Sequence, residues 1–490
     1  TRGRCRYDYC SMPSISRRNF TTLASCALLG AARGRAAGEK PNIVLITGDH
    51  LRSNHVAANG NPAILTPRMD SLAAEGANFT LCTTVGVACA PNRASLMTGR
   101  YPNAHGIISN GMEMPLSEVT LTHVLRDAGY YTGQMGKLHF WPHAVRNHRE
   151  AHPSYGFHQM RLSDEPGCYD DAYGLWLDAQ GPEVRNKARV TMPGKRKQFE
   201  YYTFAGDEKT THAHWVASET TRFIQENKGR PFFVHAGFYA PHPPLNAPAS
   251  MLALYKDAKL PPRMYRDDEA KYLPPVMRKA VTNQAAVPED TWTEYRRHFY
   301  AMVSELDRNI GRIVDAVEAA GLLDRTIFVV TADHGDYLGD HNMHNKGPMP
   351  YDGAMRIPLI FSGPGVPRGT TSGEVCEVTD VMPTLLELTG LPLPKGNQGV
   401  SLVSAMRGGK TRDAAIMQST GNRILRTKSA KYCCWTDGQE VLFDLEKDPN
   451  ELRNVAQEAS AKPLLDQMRV RLLRRGIEIQ DPLPEKVAPY

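Results

Sequence analysis

Three short apolar runs constrain this chain more than anything else in it. Asn42–Thr47 (NIVLIT), Phe232–Ala236 (FFVHA) and Ile327–Thr331 (IFVVT) are hydrophobic stretches that give way to polar residues at their carboxyl ends. A strand with one wet face alternates; a nearly continuous apolar run must be covered on both faces, as in a parallel sheet flanked by helices. The second and third runs each follow a long helical pattern, Ala213–Glu226 and Glu294–Ala320. Thr66-Pro67 opens a further helix, with a capping residue and a proline in its first turn, running to Gly76. Leu116–Ala128 reads as another helix and Pro358–Phe361 as a short strand. The alternation predicts an α/β fold, a large mostly parallel sheet sandwiched by helices.

The texture changes after Gly390. Ala415–Gln418, Lys431–Trp435 and Val441–Leu445 alternate with turns, and Ala461–Arg474 reads as a closing helix. This predicts a small antiparallel α+β subdomain over residues 401–490, beside a catalytic α/β domain over residues 38–400. Residues 140–210 and 245–290 are rich in Pro, His, Tyr and charge without clear periodicity, and read as insertions of the kind that carry substrate contacts.

The first 37 residues read as a Tat-type export signal that is removed. Ser16-Arg17-Arg18-Asn19-Phe20 is a twin-arginine pair followed by an aromatic, then the weakly apolar Thr21–Ala32 and small residues around Gly34-Arg35-Ala36. Met12 opens a conventional signal, so residues 1–11 read as upstream sequence, and the mature protein is expected in the periplasm or outside the cell. The net charge of +6 resides in this segment, where seven arginines face the single acid Asp8. The rest of the chain is balanced, which argues against nucleic-acid binding by bulk charge. No apolar run approaches the ~20 residues of a membrane-spanning helix. Cys82, Cys89, Cys168, Cys376, Cys433 and Cys434 follow the signal with no zinc-type spacing, and adjacent Cys433-Cys434 read as ordinary strand residues.

In open α/β sheets the site lies beyond the carboxyl ends of the strands. The first run there leads to Asp49-His50, the third to Asp333-His334-Gly335-Asp336, and the second to Pro241-His242-Pro243. Two separate strands ending in Asp-His point to a divalent cation. An oxygen-dominated donor set favours calcium, with magnesium or manganese as alternatives.

The sharpest signal is Cys89-Ala90-Pro91-Asn92-Arg93, continuing to Thr98-Gly99-Arg100. It resembles the C-x-P-x-R signature of type I sulfatases, members of the alkaline-phosphatase-like superfamily in which the cysteine becomes formylglycine. Gly129–Thr132 leading to Gly136-Lys137-Leu138-His139, Pro241-His242, Asp333-His334-Gly335, Lys346 before Tyr351-Asp352, and Phe443-Asp444-Leu445 before Asp448-Pro449 match in the same order. The resemblance spans about residues 41 to 455. It departs at Asn92, where Ser is more usual, and at His50, where many members have a second Asp. His50 is read either as a metal ligand or as a substrate contact.

The resemblance implies a sulfatase, and the signal at the N-terminus its export. Asp49, His50, Asp333, His334 and the residue-89 oxygen would hold the cation, and Arg93 would orient the formylglycine hydrate. Lys137 and Lys346 would bind sulfate oxygens, His139 would be the base that regenerates the aldehyde, and His242 the acid for the leaving oxygen. A formylglycine-generating enzyme is the implied maturation partner. Sulfated carbohydrates are the expected substrates, since Trp141, Tyr155, Tyr169, Tyr173, Trp176, Tyr201 and Tyr202 of the insertions suit stacking on sugars. The alternatives are a small aryl or alkyl sulfate, or a phosphonate monoester or phosphodiester cleaved by the same nucleophile. His341 and His344 lie near Lys346 without an assigned role.

Overall fold

The computed structural model describes residues 40–486 and residue 488. The signal region, Met12 included, lies outside them. Within them the strands are β1 (Asn42–Gly48), β2 (Gly76–Thr83), β3 (Tyr131–Gly136), β4 (Gln159–Leu162), β5 (Phe232–Gly237), β6 (Thr326–Ala332), β7 (Arg356–Ser362), β8 (Thr370–Ser372) and β9 (Cys376–Glu377). They form one sheet in the order β4-β3-β5-β1-β6-β7-β2-β8, with β9 also on β2. Only β7 runs against the rest, between β6 and β2. Every residue of β1, β5 and β6 is buried, as their apolar sequences require of strands covered on both faces.

Two groups of helices provide that cover. Pro67–Ala74, His212–Asn227 and the long Glu289–Ala319 pack together, and Cys89–Thr98, Leu121–Asp127 and Val381–Thr389 form the second group. The one polar residue within FFVHA, His235, is satisfied inside the sheet. Its ring lies 2.8 Å from Thr47 Oγ1 on β1 and 2.6 Å from Gln134 Oε1 on β3, a polar ladder across three strands.

The predicted helix over Leu116–Ala128 begins five residues later. Thr120 caps it, accepting from the His123 amide while the His123 ring accepts from the Thr120 amide, and Leu116 is left exposed. The predicted helix ending near Gly76 gives way there directly to β2, a strand absent from the sequence reading. A side chain at 76 would strike the Phe361 carbonyl of antiparallel β7. Strand β3 was also unmarked because its sequence, YTGQMG, is poor in β-branched residues; Gly133 is needed where the Phe223 ring packs on the sheet.

The predicted small antiparallel sheet is present as β10 (Ala415–Gln418), β11 (Asn422–Arg426), β12 (Ala430–Trp435) and β13 (Glu440–Asp444), paired in that order. Strand β11 was not foreseen. Helix Lys462–Glu478 packs on β11 and β12, and Cys433 and Cys434 are free thiols in β12. The Gln418 amide donates to the Val85 carbonyl, so β10 abuts the loop that leads into the Cys89 helix.

Candidate active site

Adjacency in the sheet assembles the site. Strands β3, β5, β1 and β6 are neighbours, and the residues just past their carboxyl ends are Lys137 and His139, His242, Asp49 and His50, and Asp333 and His334. All are buried. His50 and His139 take left-handed backbone angles, φ 68° and 60°, unusual for non-glycine residues and frequent where a side chain must be aimed.

Cys89 is the first residue of helix Cys89–Thr98, placed where the helix dipole favours negative charge. Asn92 explains itself structurally. Its Oδ1 accepts from the amides of Val85 and Gly86, and its Nδ2 donates to the carbonyls of Gly86 and Ala88, clamping the turn that presents Cys89. Cys89 Sγ lies 3.2 Å from His334 Nε2, 3.2 Å from Lys346 Nζ and 3.8 Å from Asp49 Oδ1. Burial and Asp49 oppose ionisation of this thiol, but Lys346, His334 and Lys137 outweigh them and hold its pKa well below that of an ordinary cysteine.

Arg93 sits one helical turn beyond Cys89. Its Nε donates to Asp333 at 2.8 Å, its Nη1 to the Lys137 carbonyl at 3.0 Å, and its Nη2 lies 3.6 Å from Asp49. Lys137 Nζ is 2.6 Å from Asp49 Oδ2, so Lys137, expected at the sulfate oxygens, and Arg93, expected to orient the hydrate, both brace the carboxylates. Burial would raise the Asp49 pKa, but Lys137, His242, Arg93 and Lys346 pull it well below the ordinary carboxylate range. Burial and the nearby Asp49 charge instead push Asp333 up. For His334, Asp333 and Cys89 overcome the burial penalty and raise the pKa.

Asp49, Cys89, Asp333 and His334 offer buried ligand atoms all within 4.8 Å of one another. Two carboxylates crowded this closely, one of them pushed toward its neutral form, are what a divalent cation would relieve; the donor set fits one. His50 does not belong to this group. It forms a second trio with Asp49 and His242, and Lys346 Nζ already lies 2.7 Å from His50 Nε2 and 3.3 Å from His242 Nε2.

Burial holds the His139 pKa down, against Cys89, which raises it. The amides of Leu138 and His139 both donate to Asp164 Oδ1. Burial, then Lys346, keep His242 well below the usual histidine value, and its Nδ1 lies 2.5 Å from the Pro243 carbonyl. Two neighbours escaped the sequence reading, Asn110, with Nδ2 3.9 Å from Cys89 Sγ, and Asp164, while Asp336, beside His50, stood in it without a role. Asp336 stood in the D-H-G-D run; the other two follow no local motif.

A cavity of about 370 Å³ opens beside His242 and Lys346, lined also by Arg196, Phe199, Tyr295 and His344. Phe199 stacks on His344 at 4.5 Å. Of the aromatic residues expected to meet substrate, Tyr155 and Tyr173 are instead buried structural groups, donating to the carbonyls of Met114 and Thr210. His341 likewise points away, bonded to Glu269 and stacked on Tyr351.

The sulfatase family model matches residues 41–391, and that of the C-terminal region of N-sulphoglucosamine sulphohydrolase matches residues 339–477. An arylsulfatase of Clostridium perfringens is 31% identical over 470 residues, covering 89% of this chain and 94% of its own. The phosphonate monoester hydrolase of Agrobacterium radiobacter superposes with a TM-score of 0.79 at 24% identity, over 92% of this chain and 98% of that one. A structure solved with its substrate D-glucosamine-2-N,6-O-disulfate superposes with a TM-score of 0.72 at 21% identity, over 92% and 100%. With the cysteine signature, the acid-rich strand ends and this alkaline-phosphatase-like sheet in one chain, the protein belongs to the type I sulfatase family and is a sulfuric ester hydrolase.

Proposed function

We propose that this protein is an exported sulfatase acting on sulfated carbohydrates, with formylglycine derived from Cys89 as its nucleophile. The observation that carries the reading is the convergence on Cys89 Sγ of His334 Nε2 and Lys346 Nζ, each at 3.2 Å, beneath a cavity of sugar size. A sulfate ester repels an approaching anion, so its oxygens must be neutralised before the bond to sulfur can form. Asp49, Asp333, His334 and residue 89 would hold a divalent cation, calcium by the donor chemistry, and it would supply part of that neutralisation. Formylglycine, once a water has added to its aldehyde, would supply a hydroxyl pair on one carbon, one to attack and one to be deprotonated later.

The chain's own residues do the rest. Lys346 and Lys137 present ammonium groups to the sulfate oxygens, and Arg93 keeps Asp333 and Asp49 in place. His242, whose Nε2 accepts from the Lys346 ammonium, passes that proton to the departing alcohol oxygen, Lys346 being its source. His139, an uncharged imidazole against residue 89, takes a proton from it in the second half of the reaction. Phe199, with Tyr295 and His344 beside it, offers ring faces to a sugar, and Arg196 a guanidinium at the cavity edge. Export rests on the twin-arginine signal at Ser16–Phe20.

A second reading, cleavage of phosphonate monoesters or phosphodiesters, is favoured by the likeness to the Agrobacterium radiobacter enzyme. Matured protein offered an aryl sulfate, an aryl phosphodiester and a panel of sulfated mono- and oligosaccharides decides between them. Higher kcat/KM on sugar sulfates supports the first reading; a preference for the diester overturns it.

A further inference from the structure

The surroundings of His50 pair it with Lys346 on one side and Asp336 on the other. An ammonium has three donors and no acceptor, so the 2.7 Å contact from Lys346 Nζ to His50 Nε2 requires a lone pair on that nitrogen. The ring proton then sits on Nδ1, which lies 2.8 Å from Asp336 Oδ2 and donates to it. Asp336 is wholly buried and is itself fixed, its Oδ1 accepting from the Leu338 amide at 2.8 Å. The His50 amide leans on Asp333 Oδ1 at 3.4 Å, which helps hold the left-handed turn that aims the ring. The remaining donors of Lys346 face His242 Nε2 at 3.3 Å and Cys89 Sγ at 3.2 Å. Three N–H groups thus meet three acceptors. A neutral imidazole nitrogen has one lone pair, and the one on His50 is committed to the ammonium.

We infer that Asp336 and His50 form a buried relay whose work is to position the Lys346 ammonium over residue 89, and that His50 is a positioning residue and not a ligand of the cation. The relay links three chain segments: the end of β1, the turn after β6, and the loop carrying Lys346. It accounts for a histidine where a second carboxylate would add a metal ligand, since a carboxylate there would lack the Asp336-backed acceptor geometry. The inference rests on the reading that Lys346 meets the sulfate group.

The test is a double-mutant cycle with metal analysis. In the parent, Asp336→Ala and His50→Ala should each lower kcat/KM on nitrophenyl sulfate roughly 10- to 100-fold, the range for losing a charge-assisted hydrogen bond. In a Lys346→Ala background the same substitutions should change it less than about 3-fold, because the group they position is gone. Asp336→Asn, which keeps an acceptor for His50 Nδ1, should recover part of the loss. His50→Gln and His50→Ala should hold as much metal as the parent by atomic spectrometry. Multiplicative losses in the Lys346→Ala background, or metal lost from the His50 variants, would overturn the relay while leaving Lys346 in its catalytic place. A Lys346→Ala variant as active as the parent would overturn the role of Lys346 and the relay together. Where an alanine variant does not fold, Asp336→Asn and His50→Gln carry the cycle.

Discussion

Replacing Lys137 by Met isolates the electrostatic core of the site. Met fills similar volume but leaves Asp49, wholly buried, without the ammonium that lies 2.6 Å from it. Arg93 at 3.6 Å remains, so the carboxylate is not abandoned, but its nearest compensation is lost. Breaking a buried ion pair from one side costs about 3–5 kcal/mol. At about 2.1 cal/mol/K per residue, roughly 450 folded residues have an unfolding entropy near 0.9 kcal/mol/K, so Tm should fall by about 3–6 °C. The pH dependence carries the sharper signature. The Asp49 pKa is depressed in the folded state, with Lys137 the leading favourable cause against burial. Its contribution to stability is therefore present above the ordinary carboxylate range and is lost as pH falls through the folded value. Without Lys137 the folded pKa rises, so the deficit of the variant should be largest near neutrality and shrink on acidification below about pH 4. Calorimetric melts of chelator-treated protein from pH 3 to 8 measure this without compensation by a bound cation. A Tm unchanged at pH 7, or a deficit constant across the range, would refute the assignment of Lys137 as the principal counter-charge of Asp49.

Other outcomes test the chemistry. Residue 89 of active enzyme should be about 18 Da lighter than cysteine by peptide mass, and Cys89→Ala should abolish turnover while keeping the fold. Asp333→Asn should cost several orders of magnitude in rate and weaken metal binding, and chelation should inactivate the parent until calcium, magnesium or manganese is restored; full activity after exhaustive chelation would contradict the four-donor site. His242→Ala should lose far more activity on sugar sulfates than on nitrophenyl sulfate, whose leaving group needs no proton, whereas His139→Ala should slow every substrate to a similar limiting rate. Identical leaving-group dependence in the two variants would remove that division of labour.

What the sequence by itself determined follows from local rules. Continuous apolar runs require strands covered on both faces, so β1, β5 and β6 were legible before any coordinate. The cysteine signature and the acids after β1 and β6 are contiguous motifs, and they singled out Cys89, Arg93, Asp49, Asp333 and His334, which the fold brings together. Strands β2 and β3 were not legible, because each owes its place to tertiary contact. Gly76 is set by the approach of β7, and Gly133 by a phenyl ring from a distant helix. The direction of Lys137 toward Asp49 was equally hidden, since sequence cannot say which of two nearby charges a side chain will meet. Tyr155 and Tyr173 looked like substrate platforms because composition does not distinguish a tyrosine whose hydroxyl finds a buried carbonyl from one facing solvent. The partition of the histidines was decided only by the tertiary structure. His50 and His334 both follow an aspartate at a strand end, yet one Nε2 faces an ammonium and the other the Cys89 thiol. The difference arises because the backbone at His50 is left-handed, φ 68°, and that at His334 is not, so two neighbouring strand ends aim their imidazoles at different partners.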